Sequence, residues 1–262
     1  MQSVAVARAA ARKLGLGQAR EFLKNLIIRE ARLGWTLRSG LAVQIRNLAD
    51  WIVYCDIFVD GEYDTALDHC FATAAGADRP MQVLDLGANV GFFTLRFADR
   101  MLRSAPQRPY QLTLVEGSPR VAAELQRRIS GNPALRPHAR IYHGLVGRLS
   151  GSGEIHERAF HAMNSTLSAS GKAAAVPYVD VGAMMQAVEQ IDLLKCDIEG
   201  SELQFVENYP GVLAKTRWVV MEMHHDLCDV PRCRQLLRDS GFTSHLVTRT
   251  YKNISVELFG RA

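Results

Sequence analysis

The sequence has few cysteines and no long apolar run, and each shortage excludes a class of protein. Its 262 residues include five cysteines. These are too few and too scattered for a disulfide-stapled fold, and the odd number favours a reduced, intracellular protein. No stretch approaches the roughly 20 consecutive apolar residues of a membrane-spanning helix. No internal repeat is visible, which argues against a solenoid or a propeller. We therefore expect a cytoplasmic globular protein.

Acidic residues are scarce at the start of the chain. Residues 1–46 hold nine Lys/Arg and two Glu, a net charge of +7, so the remaining 216 residues carry −3 within a total of +4. A solvated helix face explains such a basic arm, but contact with an anionic membrane surface, nucleic acid or a partner protein would also explain it. We assign residues 1–78 to a basic, mainly helical N-terminal region, and a homo-oligomer is possible.

Short apolar strands alternate with helices after Pro80. Strands are predicted at 82–86, 111–116, 140–146, 193–197 and 218–223. Helices are predicted at 91–102, 119–130, 181–189, 201–208 and 232–240, and one more helix, at 64–74, precedes this part of the chain. This alternation predicts a parallel, doubly wound α/β sheet in a domain spanning 79–262.

Two parts of that domain interrupt the alternation. Residues 244–248 and 254–259 are β-rich runs with no room for a crossover helix, so they should pair as an antiparallel hairpin. Residues 147–178 are rich in Gly, Ser and Ala, with one strand-like piece at 154–160. We expect an inserted hairpin and loop over a site there.

The run VLDLGANVG, residues 83–91, joins an apolar strand to a glycine turn that opens a helix. Asp85 ends the strand, and Gly87 permits a tight turn and a close backbone approach to a ligand. The spacing is neither the G-x-G-x-x-G of nicotinamide enzymes nor a phosphate-binding loop. An acid at this point disfavours a pyrophosphate. S-adenosylmethionine, with its sulfonium and ammonium groups, suits the turn better.

A second carboxylate, Glu116, is predicted at the end of the next strand. A carboxylate there can accept hydrogen bonds from both ribose hydroxyls of a nucleoside. Ser118 and Pro119 follow it as a helix N-cap and first-turn pair, so Ser118 has a structural explanation as well.

Four more ionisable side chains follow the last two parallel strands, where ligands bind in open α/β sheets. Asp197 and Glu199 come from IDLLKCDIEGSE, and Glu222 and His224 come from VVMEMHH. A histidine there is a natural general base near neutral pH. Zinc is not favoured, because the His and Cys spacing after residue 223 fits no compact site. A divalent ion held by the carboxylates is possible but also not favoured.

Together these motifs resemble the FkbM family of S-adenosylmethionine-dependent methyltransferases. The resemblance rests on VLDLGANVGFFTL, VEGSP, IDLLKCDIEGSE and VVMEMHH in this order, preceded by IFVDGEYDTAL, and covers roughly residues 57–225. It implies a Rossmann-like class I sheet of seven mostly parallel strands with an antiparallel last strand. It further implies methylation, commonly of a hydroxyl on a sugar or natural product.

The resemblance also implies roles for individual residues. The methionine part of the cofactor would be surrounded by Asp85, Gly87, Ala88, Asn89 and Gly91, with Asp197 also on the cofactor side. Glu116 would hold the ribose, Ser118 would lie beside the adenosine, and the adenine would contact residues near 144–146. The methyl group and the acceptor would face Asp197, Glu199, Glu222 and His224.

Several functions stay open at this point. With an alcohol acceptor, on a small molecule or glycan, His224 or Asp197 would take the proton. An N-methyltransferase acting on an amine or amide is the alternative, and a non-catalytic cofactor-binding or assembly module is a second. Nucleic acid is an unlikely partner, because the chain lacks the [DN]-P-P-[YF] motif that grips a planar amine.

Overall fold

The strands form where the sequence has short apolar runs. The computed structural model describes residues 24, 26–28, 30, 31, 33–76, 78–157 and 172–261. The strands are β1 (Gly34–Thr36), β2 (Ala42–Gln44), β3 (Met81–Leu86), β4 (Tyr110–Glu116), β5 (Ala139–His143), β6 (Ser152–Glu157), β7 (Lys172–Pro177), β8 (Ile191–Cys196), β9 (Thr216–His224), β10 (Ser244–Tyr251) and β11 (Ile254–Gly260).

Seven of these strands form one sheet in the order β10-β11-β9-β8-β3-β4-β5. Strands β3, β4, β5, β8 and β9 pair in parallel. Strand β11, the last in the chain, runs antiparallel to both β9 and β10. This arrangement confirms the Rossmann-like sheet and the terminal hairpin. It also makes β8 and β9 neighbours, so their carboxyl ends lie side by side.

Helices cover both faces of this sheet. They are α1 (Leu48–Tyr54), continued as a π-helix over Cys55–Val59, α2 (Asp64–Ala74), α3 (Phe92–Ser104), α4 (Pro119–Ser130), α5 (Val181–Met184), α6 (Glu202–Asn208), α7 (Pro210–Ala214) and α8 (Val230–Asp239), with a 3₁₀ turn at Arg136–His138. The Ser118 hydroxyl accepts the backbone N–H of Val121 and caps α4, with Pro119 in the first turn, as predicted. The core accordingly lies on both sides of the central strands.

Two predicted elements are shorter than expected. The helix predicted at 181–189 ends at Met184, because the N–H groups of Gln186 and Val188 bond three residues back instead of four. The strand predicted at 140–146 ends at His143. Leu145 leaves the sheet and exchanges backbone hydrogen bonds with the segment that follows β7.

The inserted hairpin predicted between 147 and 178 is present. Strands β6 and β7 pair antiparallel, and the intervening residues 158–171 lie outside the described residues. Ile155 of β6 and Val176 of β7 pack with Leu145 in a small separate core. The hairpin therefore sits beside the carboxyl end of β5.

The described part of the N-terminal region packs onto the sheet. It contains β1 and β2 as well as helices, and side chains of β2 and α2 share one hydrophobic core with β3 and β4. A buried ion pair between Asp50 and Arg128 links α1 to α4. The domain boundary between residues 78 and 79 stays a prediction, and the arm before residue 24 lies outside the described residues. Within the described residues, no helix is both long and apolar enough to span a membrane.

Candidate active site

A buried lysine ties together the carboxyl ends of β3 and β8. The Lys195 Nζ atom donates to the carbonyl oxygen of Gly87 at 2.6 Å. The same atom lies 3.4 Å from the Asp85 carboxylate and 3.5 Å from that of Asp197. Burial lowers the pKa of Lys195, but the charges of Asp85 and Asp197 raise it above its ordinary value. Lys195 is therefore a structural cation that holds the glycine turn and two acids in place.

The glycine turn after β3 has little room for side chains. Gly87 has φ +76°, and a Cβ atom there would lie 1.7 Å from the backbone oxygen of Asp197. Gly91 has φ +91°, and its Cβ would meet Leu125 at 2.8 Å. Gly91 thus allows α3 to approach α4. Only glycine satisfies both the positive φ and these contacts.

Glu116 is buried at the end of β4 and is held by two backbone donors. Its Oε2 accepts the N–H of Asn89 at 2.8 Å, and its Oε1 accepts the N–H of Ser118 at 2.8 Å. Burial raises the pKa of Glu116 to about 7, while the two N–H donors act in the opposite direction. The two donors fix both carboxylate oxygens and leave each with further acceptor capacity.

An open cleft runs along this edge of the sheet. Its walls are formed by Gly87, Asn89, Val115, Glu116, Gly117, Gly144, Leu145, Val146, Ile155, Asp197, Ile198, Glu199 and Ser201. The cleft has Glu116 on one side, two more acids after β8, and an apolar wall supplied by the segment that follows β5 and by the inserted hairpin. Its shape suits a ligand that is partly apolar and carries hydroxyl and cationic groups.

The predicted cofactor residues are distributed unevenly around the cleft. Four of them line it, namely Gly87, Asn89, Glu116 and Asp197. The other four, Asp85, Ala88, Gly91 and Ser118, are not among its lining residues. Asp85 is fully buried, and its Oδ2 accepts the Thr94 hydroxyl at 3.2 Å. Direct cofactor contact by these four residues stays a prediction. In the structure, Asp85 contacts Lys195 and Thr94, and Ser118 caps α4 and donates its N–H to Glu116.

The acids after β8 meet His224 from β9. The Nδ1 atom of His224 donates to Oε1 of the buried Glu202 at 2.8 Å, and Nε2 lies 3.5 Å from Oε2 of Glu199. Burial lowers the pKa of His224, but the hydrogen bond and charge of Glu202, with the charges of Asp197 and Glu199, raise it to about 10. An imidazole protonated at neutral pH accepts no proton. The role of His224 as a neutral base stays a prediction, and the raised pKa argues against it.

The pKa values of two nearby carboxyl groups are raised above that of an exposed acid. Burial and the charge of Asp197 raise the pKa of Glu199 to about 8 and that of Glu222 to about 7. Each group resists a second negative charge beside it. The three carboxylates Asp197, Glu199 and Glu222 thus form one interacting set at the ends of β8 and β9.

Two residues beside this set, Tyr63 and Glu62, had no role in the sequence analysis. The buried Tyr63 hydroxyl donates to Oε1 of Glu222 at 2.6 Å. Burial and the charge of Glu222 raise the pKa of the adjacent Glu62 to about 8, and Arg249 of β10 contacts Glu62 at 3.2 Å. The sequence signal for Glu62 and Tyr63 is the segment IFVDGEYDTAL, which contains both. This segment contributed to the resemblance, but none of its residues was given a role.

Comparison with known protein families identifies the family of this chain. The family model described as the methyltransferase FkbM domain matches residues 85–244. The chain belongs to the FkbM methyltransferase family. Tyr63 and Glu62 of this FkbM methyltransferase lie before the matched range, although their side chains reach the acids after β8 and β9.

Solved structures with similar folds include methyltransferases of low identity. The precorrin-6y C5,15-methyltransferase of Geobacter metallireducens GS-15 is 9% identical, over 76% of this chain and 87% of that chain, with a TM-score of 0.44. The METTL16 MTase domain is 9% identical, over 90% and 88%, with a TM-score of 0.48. WbdD is 14% identical, and this chain covers 40% of it, with a TM-score of 0.46. No curated protein matches this FkbM methyltransferase significantly.

Proposed function

We propose that this FkbM methyltransferase transfers a methyl group from S-adenosylmethionine to a hydroxyl of a sugar or natural-product small molecule. One observation carries the proposal. A single cleft has a buried carboxylate suited to a ribose, Glu116, on one side, and carboxylates suited to an acceptor hydroxyl, Asp197 and Glu199, on another.

The polar and apolar groups that line the cleft are complementary to those of the adenosyl cofactor. The backbone donors from Asn89 and Ser118 hold the Glu116 carboxylate so that each oxygen can accept one ribose hydroxyl. The apolar side chains Leu145 and Ile155 provide a wall for the adenine. Asp197, at the far side of Gly87, places negative charge where the sulfonium and ammonium groups would lie.

S-adenosylmethionine, when bound, supplies the methyl group in activated form and leaves as a neutral thioether. The protein's residues must align the acceptor oxygen with the methyl carbon and accept the hydroxyl proton as the C–O bond forms. Two carboxylates are placed for the proton. Asp197 lines the cleft, and Glu222, on the adjacent strand, is oriented by Tyr63. His224 faces carboxylates through both nitrogens and so positions Glu199.

The charge of the site favours a hydroxyl over an amine. Asp197, Glu199 and Glu222 would hold a basic amine in its protonated form, and an ammonium group has no lone pair for attack on the methyl carbon. An alcohol has no such protonated form near neutral pH. It only needs a nearby carboxylate to take its proton.

The acceptor atom can be tested with S-adenosylmethionine carrying a ¹³C-labelled methyl group and a panel of nucleotide sugars, glycans and hydroxylated natural products. We expect a one-methyl mass shift and a ¹³C chemical shift characteristic of a methyl ether. A methyl signal on nitrogen, with none on oxygen, would refute the proposal in favour of the N-methyltransferase.

The proton acceptor can be tested with Glu222→Gln. Turnover of the identified acceptor should fall about 10²–10⁴-fold, the range for loss of general acid–base catalysis. S-adenosylhomocysteine affinity should change little, because Glu222 is not among the residues assigned to the cofactor. Glu207→Gln, the same change at an exposed acid of α6, serves as the matched control. Wild-type turnover in Glu222→Gln would exclude Glu222 as the base.

A further inference from the structure

Three side chains with metal-binding atoms converge after β8 and β9. One ligand atom each from Asp197, Glu199 and His224 lies within 4.8 Å of the other two. Asp197 and Glu199 occupy the turn after β8, where Glu199 has φ +53°, and His224 ends the neighbouring strand. Two carboxylates and one imidazole form a donor set that binds divalent first-row metal ions.

The imidazole is already oriented for such a role. Its Nδ1 donates to the fully buried Glu202, whose Oε1 also accepts the N–H of Gly200 at 3.0 Å. This contact fixes the ring and directs Nε2 toward Glu199. Metal-binding histidines almost always donate their other nitrogen to a carboxylate or carbonyl in this way.

The local charge calls for a further cation. Asp197, Glu199, Glu202 and Glu222 lie together. Among the described residues, Lys195 contacts Asp197 but is shared with Asp85, and His224 contacts Glu199 and Glu202. Among the described residues, the buried Oδ1 of Asp197 has no hydrogen-bond partner. A buried acceptor without a partner is costly, and a bound cation would remove that cost.

We propose that Asp197, Glu199 and His224 bind one divalent cation, with Mn²⁺ as the representative ion. The ion would take the place of the proton on Nε2 of His224. Because Asp197 and Glu199 line the cleft, the ion would face the acceptor hydroxyl and lower its pKa. Glu222 is then the carboxylate left to receive the hydroxyl proton. This role rests on the proposed function, whereas the binding of the ion does not.

Binding can be measured on the full chain after treatment with EDTA and dialysis. Isothermal titration calorimetry and Mn²⁺ electron paramagnetic resonance should show one Mn²⁺ per chain, with a dissociation constant below about 1 mM. Asp197→Asn, Glu199→Gln and His224→Gln should each weaken Mn²⁺ binding at least about tenfold, and Glu202→Gln about 10–100-fold. Glu207→Gln should bind Mn²⁺ like the wild type. Circular dichroism checks that each variant is folded.

The wild-type titration decides the proposal even if some variants fail to fold. Absence of Mn²⁺ binding to the folded wild type would overturn it, as would equal binding by Glu207→Gln and by a folded Asp197→Asn. Displacement of Mn²⁺ by S-adenosylhomocysteine would also overturn it, because the acids would then serve the cofactor instead. S-adenosylhomocysteine binding without Mn²⁺ binding refutes the metal site alone. Mn²⁺ binding without S-adenosylhomocysteine binding supports the metal site and refutes the proposed function.

Discussion

Lowering the pH from 8 to 6 should weaken S-adenosylhomocysteine binding, because the ribose contact needs Glu116 as a carboxylate. The pKa of Glu116 in the unliganded protein is raised to about 7. In the complex, two ribose hydroxyls would join the N–H groups of Asn89 and Ser118 as donors. Four donors to one carboxylate stabilise the charged form and lower its pKa.

The size of the effect follows from that pKa. At about pH 8 roughly ten in eleven unliganded molecules carry the Glu116 carboxylate, and at about pH 6 roughly one in eleven does. Binding that selects the carboxylate therefore weakens about tenfold between these conditions, or about 1.4 kcal/mol. The sign is fixed, because the ligand binds the deprotonated form and affinity must rise with pH.

Isothermal titration calorimetry at several pH values measures this dependence. Glu199 and Glu222 also have raised pKa values, so the control is Glu116→Gln, in which only the Glu116 contribution is removed. Glu116→Gln should bind more weakly at about pH 8, by roughly 1.5–3 kcal/mol for lost charged hydrogen bonds. Its affinity should depend less on pH. The reasoning is refuted if the wild type binds equally at both pH values, or if Glu116→Gln keeps the full wild-type dependence.

Two further predictions concern the fold around the cleft. Gly87→Ala should destabilise the protein by about 2–5 kcal/mol in urea unfolding, because its Cβ would overlap the Asp197 carbonyl and alanine disfavours φ +76°. Gly40 has φ +88° and no atom of the described residues near the position of a Cβ, so Gly40→Ala should lose only the stability that the backbone conformation costs. Equal losses of stability in the two variants would mean that the protein relieves the overlap at residue 87. Removal of residues 1–33 should leave S-adenosylhomocysteine binding intact, whereas removal of residues 1–46 should lower the melting temperature sharply, because it deletes the buried core residues Leu41, Val43 and Ile45. Equal melting temperatures for the two truncated chains would contradict this.

Local features of the fold follow from the sequence alone. The helix at 64–74 and the helix at 119–130 begin and end where the pattern predicts. The β4 strand begins one residue before its predicted start. Such elements are readable because apolar periodicity, an N-cap serine and turn glycines act over a few neighbouring residues.

The arrangement of the acids required the tertiary structure. Tyr63 and Glu222 are 159 positions apart, so no local pattern links the phenol to the carboxylate that it orients. Glu202 is the first residue of α6, and nothing local to it indicates that its carboxylate is the hydrogen-bond partner of His224.

The sequence determined where the site residues lie, whereas the tertiary structure determined their pKa values. The sequence by itself determined that Glu116, Asp197, Glu222 and His224 lie at one edge of a parallel sheet, because strand ends follow from the alternation of elements. Only the tertiary structure decided in which direction the pKa values of Glu116, Glu222 and His224 shift. A pKa depends on burial and on charges nearby in space, and these come from strands and loops distant in sequence. That is why the pKa of His224, a candidate neutral base in the sequence, is raised in the fold by Glu202, Asp197 and Glu199.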